Sequence, residues 1–121
     1  MPILLVAIGG ALGAVARFLV ATLFAQKLGH TWPWGTLFVN VSGCVLIALF
    51  LGAGSGRIAD SSLRYLLPVG FVGAYTTFST FEFEVWSLVE TGRPAGALAY
   101  VVASNVLGFG AVLLGVSLAK R

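Results

Sequence analysis

Thr76, Thr77, Ser79 and Thr80 place four hydroxyls inside residues 70–84, a stretch otherwise apolar enough to lie in a bilayer. Acyl chains offer no partner to a hydroxyl or an opened peptide group, so such a cluster must face protein, water or an ion. The chemistry available is ion solvation. Hydroxyls and freed N–H groups suit anions, whereas opened carbonyls suit cations, and polarity at this depth ordinarily marks a functional site. Gly70, Gly73 and the three threonines are weak helix formers, so the helix carrying them is expected to break near its midpoint. Phe78 and Phe81, three residues apart, share a helix face; their electropositive ring edges either contact an anion or only pack.

Other polar residues lie within apolar runs. Arg17 stands inside the first such run, where insertion of a guanidinium costs about 2.5–3.5 kcal/mol unless it is paired or wet. It is a permeation group, a snorkelling residue or a clamp between helices. Asn40 lies at a comparable depth from the same end, so the two are placed to flank one vestibule; the alternative for Asn40 is a hydrogen bond between helices. Tyr100, Ser104 and Gly108 recur every four residues beside Asn105, a stripe that lines a path or seats a neighbouring helix. Glu82 and Glu84, two apart, fall on different helix faces, which weakens a paired-carboxylate reading. Cys44 reads as a small hydrophobe, and His30 and Glu90 as solvated.

The elements that position these groups follow from composition. Of 121 residues, 59% are hydrophobic and 9% charged, a membrane composition. Four helices of about 20 residues each would consume the chain, leaving no soluble domain. The spans are read at about 3–26, 34–54, 63–91 and 95–119, forming one transmembrane domain over residues 1–121. A cleaved signal peptide is the competing reading of the first run; the basic leader is missing and the apolar stretch is too long, so the chain is expected to begin near Met1. Trp32 and Trp34 suit an aromatic belt, Gly54-Ser55-Gly56 with Arg57 and Asp60 mark the second link, and Gly92-Arg93-Pro94 the third. Small residues at Gly9 and Gly13, and at Gly92 and Gly96, permit close helix contact.

The formal charge of +3 comes from scattered basic residues, with no polybasic patch, so nucleic acid is not an expected partner. Four crossings put both termini on one side. That side carries Arg57, Arg64, Lys120 and Arg121 against Lys27 and Arg93, a weak bias that permits insertion in both orientations.

Gly35-Thr36-Leu37-Phe38-Val39-Asn40-Val41-Ser42-Gly43, Gly70-Phe71-Val72-Gly73-Ala74-Tyr75-Thr76-Thr77-Phe78-Ser79-Thr80-Phe81 and the Gly-Ala-Val-Ala-Arg ending at Arg17 resemble the Fluc (CrcB) family of microbial fluoride channels. The similarity covers all four spans. It implies an antiparallel, dual-topology homodimer in the cell inner membrane, with two fluoride pores and passive fluoride export. It further implies a central structural sodium ion held by the backbone carbonyls of Gly73 and Thr76 from both chains. By the same resemblance the pore residues are Asn40, Phe78 and Phe81, with Thr77, Ser79, Thr80, Tyr100 and Ser104 forming the polar track, Arg17 attracting anions at the vestibule and Glu84 matching a family glutamate. Ala74 stands where members often carry glycine, Gly108 where serine can occur, and Glu82 where a small or neutral residue is expected. Fluoride is strongly hydrated, so such a path needs donors such as the Asn40 amide, held without a fixed cation that would trap the ion.

Two other classes compete. A proton-coupled exporter of the small multidrug type is also a four-helix dual-topology dimer, but it uses a carboxylate on its first helix, where this chain carries Arg17 and no acid. A purely structural membrane subunit accounts for the apolar packing and not for the threonine-rich centre. Neither reading makes the chain an enzyme.

Overall fold

A computed structural model describes residues 1–52, 58 and 61–121. Gly54-Ser55-Gly56, Arg57 and Asp60, read as the second link, lie outside the described residues, as does the end of the 34–54 span. Among the described residues the chain is entirely helical: α1 Pro2–Leu28, α2 Trp34–Leu51, a π-helical segment Tyr65–Val72, α3 Gly73–Tyr75, α4 Phe78–Glu90 and α5 Pro94–Ala119. Three of these, α1, α2 and α5, are long and apolar enough to cross a membrane.

The ends of the helices follow local chemistry. Pro2 and Pro94 open α1 and α5, where a missing N–H leaves no helical bond unmade. Gly29 and Gly92 take φ of 79° at the links after α1 and α4, a conformation that a Cβ would strain. Lys27 lies in the last turn of α1, where a cation complements the helix dipole.

Only 11% of the apolar window of α1 is buried within the chain, and Leu4, Leu12, Phe18, Leu19 and Leu23 lie exposed along it. A helix so apolar and so little covered needs lipid or another chain around it. The inner contacts are made by small residues. Gly9 and Gly13 of α1 lie directly on backbone of the π-helical segment: a Cβ on either would meet the carbonyl oxygen of Leu66 or Phe71, inside van der Waals contact. The helix expected over 63–91 is therefore more irregular than its composition suggests. Pro68 has no N–H to donate, and its ring crowds the carbonyl four residues earlier, so the turn widens into π geometry around it. Phe81 and Leu88 of α4 with Ala97 and Tyr100 of α5 form one buried apolar cluster, and Val39 and Ala48 of α2, Val72, Tyr75 and Ala111 are buried as well.

Candidate functional site

The polar run falls where the winding stops. Thr76 (φ −90°, ψ 161°) and Thr77 (φ −150°, ψ 121°) are extended, separating α3 from α4. Where do the displaced backbone hydrogen bonds go? In an unbroken α-helix the Thr77 N–H would donate to the Gly73 carbonyl and the Thr80 N–H to the Thr76 carbonyl. Here Thr77 N–H donates instead to Asn40 Oδ1 at 2.8 Å, and Asn40 Nδ2 donates to the Thr77 carbonyl at 3.0 Å. Thr80 N–H donates to Thr77 Oγ1 at 3.2 Å, so Thr77 caps α4 with its own side chain. The two diversions free the carbonyls of Gly73 and Thr76, and because α4 begins only at Phe78 those of Ala74 and Tyr75 between them lose their helical donors as well.

Asn40 thus serves Thr77 as a neighbouring strand would, with one donor and one acceptor. Among the described residues its second Nδ2 hydrogen has no acceptor. α2 comes this close to the break because Gly43 lacks a side chain; a Cβ there would collide with the Thr76 methyl. A second α2 contact lies just before the break. Ser42 Oγ donates to the Phe38 carbonyl at 2.7 Å, which leaves Tyr75 to donate its hydroxyl hydrogen to Ser42 Oγ at 3.0 Å.

Arg17 reaches the same place from α1. Its Nε donates to the Ala74 carbonyl at 3.0 Å, placing a positive charge at the negative end of the pre-break half-helix. Arg17 and Asn40 therefore meet the break three residues apart in sequence, at Ala74 and Thr77. Arg17 lines neither the cavity along the break nor the one where α1 meets α2.

One cavity, of about 320 Å³, lies along the break and is lined by Asn40, Gly73, Thr76, Thr77, Phe78 and Phe81 among others. The second, of about 430 Å³, opens at the end where α1 meets α2 and reaches Trp32, Thr36, Thr80, Glu84 and Arg93. Phe81 stands between the break and the core: it is 7% exposed, its ring 4.9 Å from that of Tyr100 in an edge arrangement at 70°. Phe78, 6.2 Å from Phe81 between centroids, is 75% exposed on the outside of the protomer. Gly73, Ser79 and Thr80 are exposed as well.

The two glutamates separate as their spacing requires. Glu82 is exposed, whereas half-buried Glu84 accepts from the Thr36 hydroxyl at 3.1 Å and from the Tyr100 hydroxyl at 3.0 Å. In the stripe on α5, the Ser104 hydroxyl is buried with no hydrogen-bond partner among the described residues, and Gly108 faces Cys44, whose sulfur would lie 3.6 Å from a Cβ. Asn105 returns its amide to the Val101 carbonyl at 2.9 Å and takes no part in the site.

Sequence reasoning did not foresee Thr36 on Glu84 or Tyr75 on Ser42. A threonine three or four residues from a glutamate gives a spacing signal when both lie on one helix, but Thr36 and Glu84 are 48 positions apart. Trp32, read as part of an aromatic belt, packs inward against Tyr100 with centroids 5.6 Å apart.

The chain matches the family model described as CrcB-like protein, Camphor Resistance (CrcB), over residues 4–116. It is 47% identical over 119 residues to a protein of Nitrobacter winogradskyi named fluoride-specific ion channel FluC, covering 98% of this chain and 94% of that one. A protein of the same name from Acidobacterium capsulatum is 43% identical over 122 residues, covering 100% of this chain and 98% of the relative. A third, from Rhizobium meliloti, is 46% identical over 121 residues, with 98% and 95% covered. The chain belongs to the CrcB-like family, and is accordingly a multi-pass inner-membrane protein of an ion-channel family and not an enzyme.

Proposed function

We propose that the chain is a fluoride-selective channel that lets fluoride leave the cell passively, through two pores in an antiparallel homodimer. The observation that supports this most directly is the opened backbone at Thr76–Thr77, held by Asn40 amid hydroxyls, in a chain 47% identical to a protein named as a fluoride-specific channel. Fluoride accepts hydrogen bonds strongly, so its water must be replaced by donors. Asn40, with one amide hydrogen left over, and the hydroxyls of Thr77, Ser79 and Thr80 are such donors; the edges of Phe78 and Phe81 add weak positive potential. Tyr100 and Ser104 continue the track along α5. None of these groups carries a full positive charge, which favours passage over trapping. Arg17, already committed to Ala74, supplies long-range attraction for anions near the path.

A sodium ion at the centre fits the same backbone. Hard cations favour several oxygen ligands. The break relieves four carbonyls of each chain, Gly73 to Thr76, of helical donors; that of Ala74 accepts from Arg17, those of Gly73 and Thr76 are the pair this reading gives to sodium, and Gly73 is exposed on the protomer surface. Two is too few for such an ion; a second chain about a two-fold axis doubles the number and gives two equivalent pores. When bound, sodium would neutralise the crowded carbonyl ends of the paired half-helices. The fourth crossing is assembled from the π-helical segment, α3 and α4, together spanning Tyr65–Glu90.

Purified protein in liposomes is expected to release fluoride, followed with a fluoride electrode, once a potassium ionophore relieves the charge build-up. Chloride release should be slower by orders of magnitude. Equal chloride flux, or flux that requires a pH gradient, overturns the channel reading.

Dual topology has its own test. A cysteine at Ala119 in a Cys44→Ser background should react with an impermeant thiol reagent in about half the molecules from each side of the membrane, as near balance of basic residues leads one to expect. Labelling from one side alone excludes an antiparallel pair.

A further inference from the structure

Five aromatic rings stand in file between the break and the end of the molecule where α1 meets α2. Phe78 lies 6.2 Å from Phe81, Phe81 4.9 Å from Tyr100, Tyr100 5.6 Å from Trp32, and Trp32 6.1 Å from Trp34, centroid to centroid. The first three belong to the path proposed above. Trp32 does not, and its place in the link between α1 and α2 is one where a tryptophan usually meets lipid headgroups. It is instead half-buried against the cluster of Phe81, Leu88, Ala97 and Tyr100.

The link is tied down on both sides of that ring. Arg93 donates to the Thr31 carbonyl, and Trp34 N–H donates to the Trp32 carbonyl at 2.9 Å. Beneath the ring lies Gly96 of α5, where a Cβ would make an ordinary contact with the indole at 3.6 Å. Trp32 also lines the 430 Å³ cavity that holds Thr36, Thr80 and Glu84. Its ring is therefore part of the wall between that cavity and Tyr100. Tyr100 is 0% exposed and has edge contacts with two rings, Phe81 at 70° and Trp32 at 64°. A phenol wedged in this way has little freedom to swing, and its hydroxyl stays on Glu84.

We infer that Trp32 is a positioning residue of the permeation path: packed edge-on against Tyr100, it holds the Tyr100 hydroxyl on Glu84 and so keeps the wall of the larger cavity in its conducting arrangement. The inference rests on the fluoride-channel reading. Trp32 acts through Tyr100 and needs only its ring to do so; among the described residues the indole N–H has no hydrogen-bond partner.

The test is a double-mutant cycle in the full-length reconstituted protein, read as fluoride efflux, with dimer elution as the check on folding. Trp32→Ala is expected to slow efflux by about three- to tenfold, the factor that corresponds to loss of one aromatic pair. Trp32→Phe, which keeps a ring on Tyr100, should restore the rate to within about twofold of the parent. Tyr100→Phe should be slow by itself, and adding Trp32→Ala to it should change nothing further. If Trp32→Ala fails to elute as a dimer, Trp32→Leu takes its place with the same expected pattern. An equal loss from Trp32→Ala in both backgrounds, a Trp32→Phe variant as slow as Trp32→Ala, or unchanged efflux in Trp32→Ala overturns the inference. Failure of the parent protein to pass fluoride overturns the channel reading instead, so the two are distinguished by the parent alone.

Discussion

Asn40→Asp is expected to abolish fluoride efflux while the protein continues to elute as a dimer. Two effects act in the same direction. The carboxylate can still accept from the Thr77 N–H, but it cannot donate to the Thr77 carbonyl, which Asn40 Nδ2 now satisfies at 3.0 Å. That carbonyl, at the N-cap of α4, keeps the first intrahelical bond, so losing its second donor costs about 0.5–1.5 kcal/mol. More important for transport, a fixed negative charge would replace an amide where an anion must pass. At about 4 Å and an effective dielectric constant near 20, like charges repel by about 4 kcal/mol. That corresponds to about three orders of magnitude in rate. Efflux at the parent rate from well-folded Asn40→Asp would remove Asn40 from the path and leave it only its role in holding the break. A second variant separates the two roles. Asn40→Leu introduces no charge but abandons both bonds to Thr77, so it should lower thermal stability in detergent more than Asn40→Asp does.

Gly13→Ala is expected to damage folding severely. The Cβ it adds would meet the carbonyl oxygen of Phe71, and would lie 3.0 Å from the carbonyl carbon. Both atoms are backbone of the π-helical segment, so no side chain can rotate away and α1 must separate from that segment along its length. Overpacking typically costs about 1–3 kcal/mol and more where the backbone must move. The same displacement would pull Arg17, four residues further along α1, off the Ala74 carbonyl and loosen the break. Gly13→Ala should therefore yield aggregated or non-dimeric protein after extraction. Gly10→Ala is the control, because a Cβ there has its nearest neighbour, the Gly70 carbonyl oxygen, at 4.0 Å, an ordinary contact. Similar elution and melting of the two variants would show that the α1 packing described above is not the one the protein uses.

That pair of glycines illustrates where sequence reasoning stops. Gly9, Gly10 and Gly13 all read as small residues in an apolar helix, and four-residue spacing singles out Gly9 and Gly13 without saying what they touch. The partner is backbone of a segment more than 50 positions away, widened by Pro68. Nothing local to α1 encodes that surface.

What the sequence determined by itself was the class of molecule and the position of its weak point. A chain 59% hydrophobic and 9% charged has no soluble solution, and apolar runs of helical length set α1, α2 and α5. Gly73 and the threonines located the break, because residues with poor helix propensity act on their own turn. The motif strings located the family. The tertiary structure decided which groups at the break are engaged and which are left over. Thr77 is held from 37 residues away by Asn40, Ala74 from 57 residues away by Arg17, and Glu84 by hydroxyls 48 and 16 residues distant. Propensity and periodicity operate over one or two turns, whereas these bonds exist only after α1, α2 and α5 have packed around the broken segment. For the same reason Trp32 reads as one of two interfacial aromatics in the sequence and becomes, once α5 presents Gly96 and Tyr100 beside it, an inward-facing ring that Trp34 is not.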